Sequence, residues 1–151
     1  MIQFTLPLME DVQRPVARLD SFHGFNAMLD TGSVFPIWVE DENILVDLGG
    51  EVVKNRIEFS GFGGTSVGKM YKLPEIQVGE LIYPNFHIIA YKMDMPCNMI
   101  ISATMFQHLI YEVDDYNHTL NVTIPDKESN VRNLSITDTK GRLYVFCQPA
   151  K

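Results

Sequence analysis

The most informative stretch of the chain reads Ala27-Met28-Leu29-Asp30-Thr31-Gly32-Ser33. Three apolar residues lead directly into an aspartate, and residues typical of a tight turn follow it. Because the apolar residues favour burial, the carboxylate of Asp30 needs hydrogen bonds or neutralisation at this position. Gly32 lets backbone amides approach it, the Ser33 hydroxyl can donate a hydrogen bond to it, and Thr31 offers a second hydroxyl for holding the loop. By itself, Asp-Thr-Gly fits either a reactive carboxylate or an ordinary turn that closes a hairpin.

The size and charge of the chain narrow the classes of protein to which it can belong. Its 151 residues predict a single domain over residues 1–151, and a hydrophobic content of 46% is typical of a globular chain. The net charge of −7 argues against nucleic-acid binding, and the scattered lysines and arginines argue against a polybasic membrane segment. No apolar run approaches the length of a membrane span, and the first residues lack the features of a secretory signal. We therefore expect a cytoplasmic protein that binds neither nucleic acid nor a membrane.

The sequence contains no complete motif for a metal or a nucleotide. Cys97 and Cys147 lack the spacing of a metal-binding pair; free thiols are expected in a reducing cytoplasm, although a disulfide between them stays open. Residues 63–70 nearly match a phosphate-binding loop, but Met70 replaces the serine or threonine that would hold Mg²⁺. No metal-ligand spacing is found among the histidines His23, His87, His108 and His118. We expect neither a metal nor a cofactor.

The residue pattern predicts a mostly β protein. Short runs rich in Val, Ile, Phe, Tyr and Thr alternate with Gly, Pro, Asn and Asp. The candidate strands are residues 3–8, 16–22, 25–29, 35–39, 51–59, 69–78, 86–91, 99–101, 110–114, 119–124 and 142–148. Hairpin turns are predicted at His23-Gly24 and at Asp115-Tyr116-Asn117-His118.

One short helix is predicted at residues 103–109. Ser102 can cap it, and no glycine or proline interrupts it. Met105, Phe106 and Leu109 would share its buried face. Because the segment is short, a strand remains an alternative. Residues 125–132 are typical of a polar loop, and residues 136–141 of a turn before the last strand.

Three segments resemble the retropepsin-like aspartic peptidases and, more distantly, the pepsins. The first is Met28-Leu29-Asp30-Thr31-Gly32-Ser33, which matches the family signature of two apolar residues followed by Asp-Thr-Gly-Ala/Ser. The second resembles the tip of the family's flap, a hairpin that closes over the substrate, and reads Phe59-Ser60-Gly61-Phe62-Gly63-Gly64-Thr65. The third resembles an apolar-apolar-Gly segment leading into a short helix, and reads Met99-Ile100-Ile101-Ser102-Ala103-Thr104-Met105-Phe106. The resemblance spans residues 27–122, about two-thirds of the chain.

The resemblance implies both a fold and a reaction. The implied fold is mostly β, a closed β-barrel-like acid protease fold with a flap hairpin and one short helix. The implied activity is that of an aspartic endopeptidase, a hydrolase that cleaves a peptide or protein substrate with an activated water. The implied catalytic residues are Asp30, Thr31, Gly32 and Ser33. The flap residues that would bind substrate are Gly61, Phe62, Gly63 and Gly64.

The single Asp-Thr-Gly also implies a partner chain. The reaction needs two carboxylates that share one proton, because two like charges so close together cannot both ionise. Since the chain supplies one, the economical arrangement is a two-fold symmetric homodimer in which both Asp30 residues meet on the axis. By resemblance, the Thr31 side chains would interlock across that axis. The terminal strands, at residues 3–8 and 142–148, are the candidates for the rest of the interface.

Two departures from the family bear on activity. Ser102 stands where the family usually has glycine, so its hydroxymethyl group is either tolerated or shifts the active-site loop and reduces activity. Val34 and Ala103 replace an Asp and an Arg that pair in viral members, which predicts a loop braced by apolar packing. The alternative function is therefore a catalytically weak or inactive retropepsin-like module that binds peptides or assembles.

Overall fold

The structure is a computed structural model that describes residues 2–10, 14–30, 33, 35–61, 64–106, 109–124, 134–139 and 142–147. Within these residues the chain forms twelve strands, one α-helix and one 3₁₀ helix. The strands are β1 (Ile2–Pro7), β2 (Val16–Leu19), β3 (Phe25–Asp30), β4 (Ile37–Trp38), β5 (Glu51–Gly61), β6 (Gly64–Val78), β7 (Leu81–Ala90), β8 (Met99–Ser102), β9 (Ile110–Asp114), β10 (Thr119–Ile124), β11 (Leu134–Thr139) and β12 (Arg142–Cys147). The α-helix is α1 (Glu42–Asp47), and the 3₁₀ helix spans Ala103–Phe106.

The strands form two sheets, and the larger one carries Asp30. Three strands form the smaller sheet in the order β1-β10-β9, and both of its pairs are antiparallel. The main path of the nine-stranded sheet runs β11-β12-β7-β4-β8-β3-β2, and the β5–β6 hairpin joins it where β6 pairs with β7. Over the described residues the sheets do not close into a complete barrel. The mostly β, barrel-like fold class predicted from the sequence is confirmed.

Burial on both faces of the sheet determines the register of the strand β8. All four residues of β8 are buried. Met99 and Ile101 enter one apolar cluster and Ile100 enters a second, because successive side chains of a strand point to opposite faces. A one-residue slip would exchange these two sets, so the packing specifies the register of β8 and of β3 beside it.

Both hairpin turns predicted from the sequence are confirmed. Between β2 and β3, His23 and Gly24 have φ angles of 56° and 67°, in the left-handed region that tight hairpins use. Between β9 and β10, the carboxylate of Asp114 accepts hydrogen bonds from the backbone amides of Tyr116 and Asn117 at 3.1 and 3.0 Å. Local side-chain bonds therefore hold this second turn.

Three elements differ in type from the sequence prediction, and the strands β6 and β7 each begin five residues earlier than predicted. The predicted helix at residues 103–109 is a 3₁₀ helix that spans only Ala103–Phe106, with Gln107 and His108 outside the described residues. The helix α1 was not predicted, although the carboxylate of Asp41 caps it by accepting a bond from the amide of Asn43 at 2.9 Å. The turn predicted at residues 136–141 is wrong for residues 136–139, because β11 pairs with β12 along its whole length. The loop predicted at 125–132 lies outside the described residues.

Cys97 lies between β7 and β8 and is a free, buried thiol. Burial is the main cause that raises the pKa of this thiol. Since the thiolate is the reactive form, Cys97 is expected to be inert at neutral pH. The prediction of a free thiol is confirmed for Cys97.

Candidate active site

Asp30 is the last residue of β3, which lies between β8 and the outer strand β2 of the large sheet. The apolar residues before it are buried, with Ala27 0% and Leu29 7% exposed. The side chain of Asp30 is 22% exposed. The strand β3 runs antiparallel to β2 and parallel to β8, and the register places Asp30 opposite Ser102. The sequence prediction of a carboxylate at the end of a buried strand is therefore confirmed.

The turn after Asp30 is held at Ser33. The backbone amide of Ser33 donates to the carbonyl of Asp30 at 3.2 Å, which closes the turn. The hydroxyl of Ser33 donates to the carbonyl of Phe35 at 2.6 Å. The expected bond from this hydroxyl to the Asp30 carboxylate is therefore wrong, because a hydroxyl has a single proton to donate. Ser33 stabilises the backbone of the turn.

Ser102, on the neighbouring strand β8, forms a hydrogen bond to this turn. Apart from aromatic side chains and Cys97, it is the only buried polar side chain among the described residues, with 0% exposed. Its hydroxyl donates to the carbonyl of Ser33 at 2.9 Å. Of the two outcomes expected for Ser102, the structure favours tolerance, because the hydroxymethyl group fits and has a hydrogen-bond acceptor. The expectation for Val34 lies outside the described residues.

A cation that the sequence did not predict lies beside Asp30. The guanidinium of Arg14 is 3.2 Å from the Asp30 carboxylate, and the side chain of Arg14 is 60% exposed. The backbone explains this position, because the amide of Leu29 donates to the carbonyl of Pro15 at 2.9 Å. Arg14, next to Pro15, is thereby placed beside the end of β3. No local sequence signal could have found this contact, which joins residues 16 apart.

The four predicted catalytic residues are only partly described. Asp30 and Ser33 lie together in one turn, whereas Thr31 and Gly32 lie outside the described residues. In the predicted flap, Gly61 and Gly64 form the last pair of the β5–β6 hairpin. Phe62 and Gly63, which complete its tip, lie outside the described residues.

The β5–β6 hairpin extends beyond the rest of the sheet. The strand β6 pairs with β7 from Lys69 to Val78, whereas its residues from Gly64 to Gly68 pair only with β5. We call residues 57–61 and 64–68 the hairpin arm. Phe59 is the buried residue of the arm, 8% exposed, and its ring meets the ring of Tyr91 edge to face at a centroid distance of 5.2 Å. This contact seats the arm against the body of the sheet.

A polar clamp joins α1 to β6 where the arm begins. The carboxylate of Glu42 accepts a hydrogen bond from the hydroxyl of Tyr71 at 2.6 Å and lies 3.2 Å from the ammonium of Lys69. The bonds from Tyr71 and Lys69 lower the pKa of Glu42. Burial, and then the bond to Glu42, raise the pKa of Tyr71 to about 12. The clamp therefore joins an ionised carboxylate to a neutral phenol at neutral pH.

The part of the chain that the structure describes brings together no group of three or more His, Cys, Asp and Glu side chains that could hold a metal ion. The same residues include no helix with the length and apolar character needed to cross a bilayer.

Comparison with known proteins places the fold in a class. A retropepsin-like aspartic protease from Rickettsia conorii superimposes with a TM-score of 0.56 over 82% of this chain and 91% of that chain. The sequence identity is 11%, so the likeness is one of fold. The chain therefore has a distant retropepsin-like fold. No protein-family model matches the sequence, and neither does any curated protein.

Proposed function

We propose that the chain is one half of a homodimeric aspartic endopeptidase, which hydrolyses peptide bonds with a water activated by paired Asp30 carboxylates. The observation that carries the proposal is the place of Asp30 in a retropepsin-like fold. It ends a buried strand, keeps 22% of its side chain exposed, and starts a turn held by Ser33 and Ser102. A carboxylate so placed is fixed by the sheet and still reachable by a substrate.

The proposed chemistry follows from two carboxylates in one site. One Asp30 acts as base toward the bound water, and the other, protonated, donates a hydrogen bond to the carbonyl of the scissile bond. The water attacks directly, so no covalent intermediate forms between enzyme and substrate. Thr31 and Gly32 are proposed to hold the two loops, by side-chain contact across the axis and by close approach of backbone amides.

The β5–β6 hairpin is the proposed substrate clamp. The glycines Gly61, Gly63 and Gly64 and the tip residue Phe62 would lie over an extended peptide, bound by strand-like backbone bonds. Closure of such a hairpin would exclude water from the reacting centre. The length of the arm beyond β7 supports this role, because the arm has no other strand to pair with among the described residues.

The proposed dimer interface can be narrowed by the strand order. The strand β12 pairs with β11 along its whole length and with β7 at Leu143 and Tyr144, so only part of one edge is open to a partner. The strand β1 pairs with β10 alone in the smaller sheet, and it is an outer strand there. Of the two terminal strands, β1 is therefore the better candidate to pair with a second copy.

The decisive experiment is cleavage of a peptide library by the purified chain between pH 3 and 7, compared with Asp30→Asn. We expect the substitution to abolish cleavage, because an amide cannot act as the base. The matched control is Asp20→Asn, which removes another arginine-paired aspartate, 63% exposed and 2.7 Å from Arg18. That variant is expected to retain the wild-type rate.

The same assay separates the protease from the inactive binding module. Inhibition by a statine-type compound, whose hydroxyl mimics the tetrahedral intermediate, would support the proposal. Cleavage that persists in Asp30→Asn, or that is absent at every pH, would show that the chain is not such a protease. Binding of peptides without cleavage would favour the alternative module.

A further inference from the structure

The hydroxyl of Ser102 is a polar group inside an apolar layer. It belongs to β8, whose four residues are all buried, and β8 lies between β3 and β4. A buried hydroxyl without a partner is costly, so its bond to the carbonyl of Ser33 at 2.9 Å governs the orientation of the side chain. This bond joins the end of one central strand to the turn at the end of its neighbour.

The bond from Ser102 reaches the turn at Ser33, which makes two further hydrogen bonds. Ser33 donates its amide to the carbonyl of Asp30 at 3.2 Å and its hydroxyl to the carbonyl of Phe35 at 2.6 Å. With Ser102, three hydrogen bonds converge on Ser33. The strand register adds a fourth constraint, because Asp30 and Ser102 are direct partners in the parallel pair of β3 and β8.

We propose that Ser102 is a positioning residue, which holds Asp30 through Ser33 in the orientation that the paired-carboxylate reaction needs. The inference rests on the proposed function, and it deepens it. Reacting groups must be placed within a fraction of an ångström, since an error of about 1 Å costs on the order of a hundredfold in rate. A glycine at this position, the usual residue in the resembling family, has no hydroxyl and cannot make this bond.

The rival explanation is that Ser102 only fills space. The two explanations differ in what they expect of Ser102→Ala and Ser102→Gly. The alanine variant keeps the Cβ and loses the hydrogen bond, whereas the glycine variant loses both. If Ser102 only fills space, only the glycine variant should lose activity. If Ser102 positions Asp30, both variants should lose activity.

The matched control is Tyr83→Phe. The hydroxyl of Tyr83, a residue only 1% exposed, donates to the carbonyl of Met105 at 2.8 Å. The substitution therefore deletes a buried side-chain-to-carbonyl bond, as Ser102→Ala does, but one that does not touch the turn at Asp30. Ser102→Ala and Tyr83→Phe are each expected to lower the melting temperature by about 2–6 °C.

The experiment measures kcat and KM for a single peptide at a protein concentration that saturates the dimer. We expect Ser102→Ala to lower kcat by on the order of tenfold to a hundredfold and to leave KM within about twofold. Tyr83→Phe is expected to keep the wild-type kcat. A structural defect alone would move the melting temperatures together without this difference in kcat.

Hydrogen exchange supplies a readout that does not need catalysis. Amides of residues 29–35 are expected to exchange faster in Ser102→Ala than in the wild type, and at the wild-type rate in Tyr83→Phe. The inference is overturned if Ser102→Ala keeps the wild-type kcat, if its exchange over residues 29–35 is unchanged, or if Ser102→Gly is faster than the wild type. If the wild type does not cleave, the proposed function fails, and exchange alone decides whether Ser102 holds the turn.

Discussion

Arg14 and Asp30 form an ion pair in which both side chains are partly exposed to solvent. Their side chains are 60% and 22% exposed, and the nitrogen and oxygen are 3.2 Å apart. Pairs with this exposure contribute about 0–1 kcal/mol, because water screens the attraction and holding long side chains costs entropy. The pair is therefore weak enough to open when a second chain or a substrate approaches Asp30.

Replacement of Arg14 tests the strength of this pair. We expect Arg14→Ala to lower the free energy of unfolding by less than about 1 kcal/mol at low salt, and the loss to vanish near 1 M NaCl. Urea unfolding at the two salt concentrations measures this. Arg18→Ala is the control. Arg18 is 57% exposed and pairs with Asp20 at 2.7 Å, so its replacement removes a second exposed ion pair and should give a loss of the same size and salt dependence. A loss above about 2 kcal/mol, or one independent of salt, would contradict a screened surface pair.

Gly68 marks the point where β6 leaves β7, and it permits a close approach of the two strands. A Cβ at this residue would lie 2.6 Å from the carbonyl oxygen of Ala90 and 2.8 Å from Cγ2 of Ile89. We expect Gly68→Ala to destabilise the protein by about 1–3 kcal/mol, measured by urea unfolding. In Gly64→Ala the new Cβ has no atom of the described residues within 4 Å, so the change in the free energy of unfolding should stay within about 0.5 kcal/mol. Equal effects of the two substitutions on the free energy of unfolding would show that close packing at Gly68 is not the cause of the destabilisation.

The sequence was most informative about residues whose role depends on their neighbours in the chain. Asp30 could be placed at the end of a buried strand because the apolar residues directly precede it. Arg14 could not, because its contact depends on the pairing of Pro15 with Leu29. The partner of the Ser33 hydroxyl could not be predicted either, because it depends on the folded backbone, which brings the carbonyl of Phe35 within 2.6 Å.

At the scale of elements, the clamp between α1 and β6 determines how the base of the hairpin is held. We expect Tyr71→Phe to lower the free energy of unfolding by about 1–3 kcal/mol, because it removes a bond to a charged group. Tyr116→Phe, in which the same hydroxyl is removed from a residue that is 92% exposed, should have no measurable effect. Thermal or urea unfolding of both variants checks the expectation.

The pKa values of the clamp give this prediction a pH dependence. The pKa of Glu42 is lowered from 4.5, so its contribution to stability is present above pH 4.5 and is lost as the pH falls through the lower value of the folded state. The pKa of Tyr71 is raised from 10.0 to about 12, so its contribution is present below pH 10 and is lost as the pH rises toward 12. The stability difference between wild type and Tyr71→Phe should therefore narrow at both extremes, and a constant difference would contradict the clamp.

Elements with a local signal were predictable, and elements that depend on distant pairing were not. The strands β9 and β10 were predicted with their observed bounds, because a polar turn separates two apolar runs. The helix α1 was missed although Asp41 and Glu42 are a normal helix start, since its six residues are too few for a periodic pattern. The strand β11 was missed because its two apolar residues are followed by three polar ones in a row, Thr137-Asp138-Thr139, which resemble a turn; the pairing with β12 shows that it is a strand.

At the scale of the whole molecule, the proposal predicts a dimer. Sedimentation at high protein concentration with a statine-type inhibitor should give a dimer, because the inhibitor binds between two copies of Asp30. Asp30→Asn should remain able to dimerise, since a neutral amide removes repulsion on the axis. A chain that stays monomeric with the inhibitor present would contradict the shared site.

The mostly β class was predictable from composition and turn spacing, and the barrel-like fold from the resemblance, whereas the order of the strands was not predictable. The parallel pairs of β3 with β8 and of β12 with β7 join residues far apart in the sequence. Such pairings leave no local pattern, because they depend on which apolar faces are buried together. In the candidate site, the sequence placed Asp30, and the resemblance related Ser102 to the active-site loop. The strand order supplies the register in which the two residues are direct partners.

In the proposed substrate clamp, the arm of the β5–β6 hairpin would act as a lever with its pivot at Gly68, where β6 leaves β7. From Gly68 to Gly64 the arm extends about 13 Å at the usual strand rise, so a rotation of about 10° would move Gly61 and Gly64 by about 2 Å. Such a rotation leaves the pairing of β6 with β7 from Lys69 onward intact. A small change in backbone angle at Gly68 would therefore produce a larger displacement at the far end of the arm. The ring contact of Phe59 with Tyr91 restrains that displacement, so it contributes to the position of the arm together with the glycines.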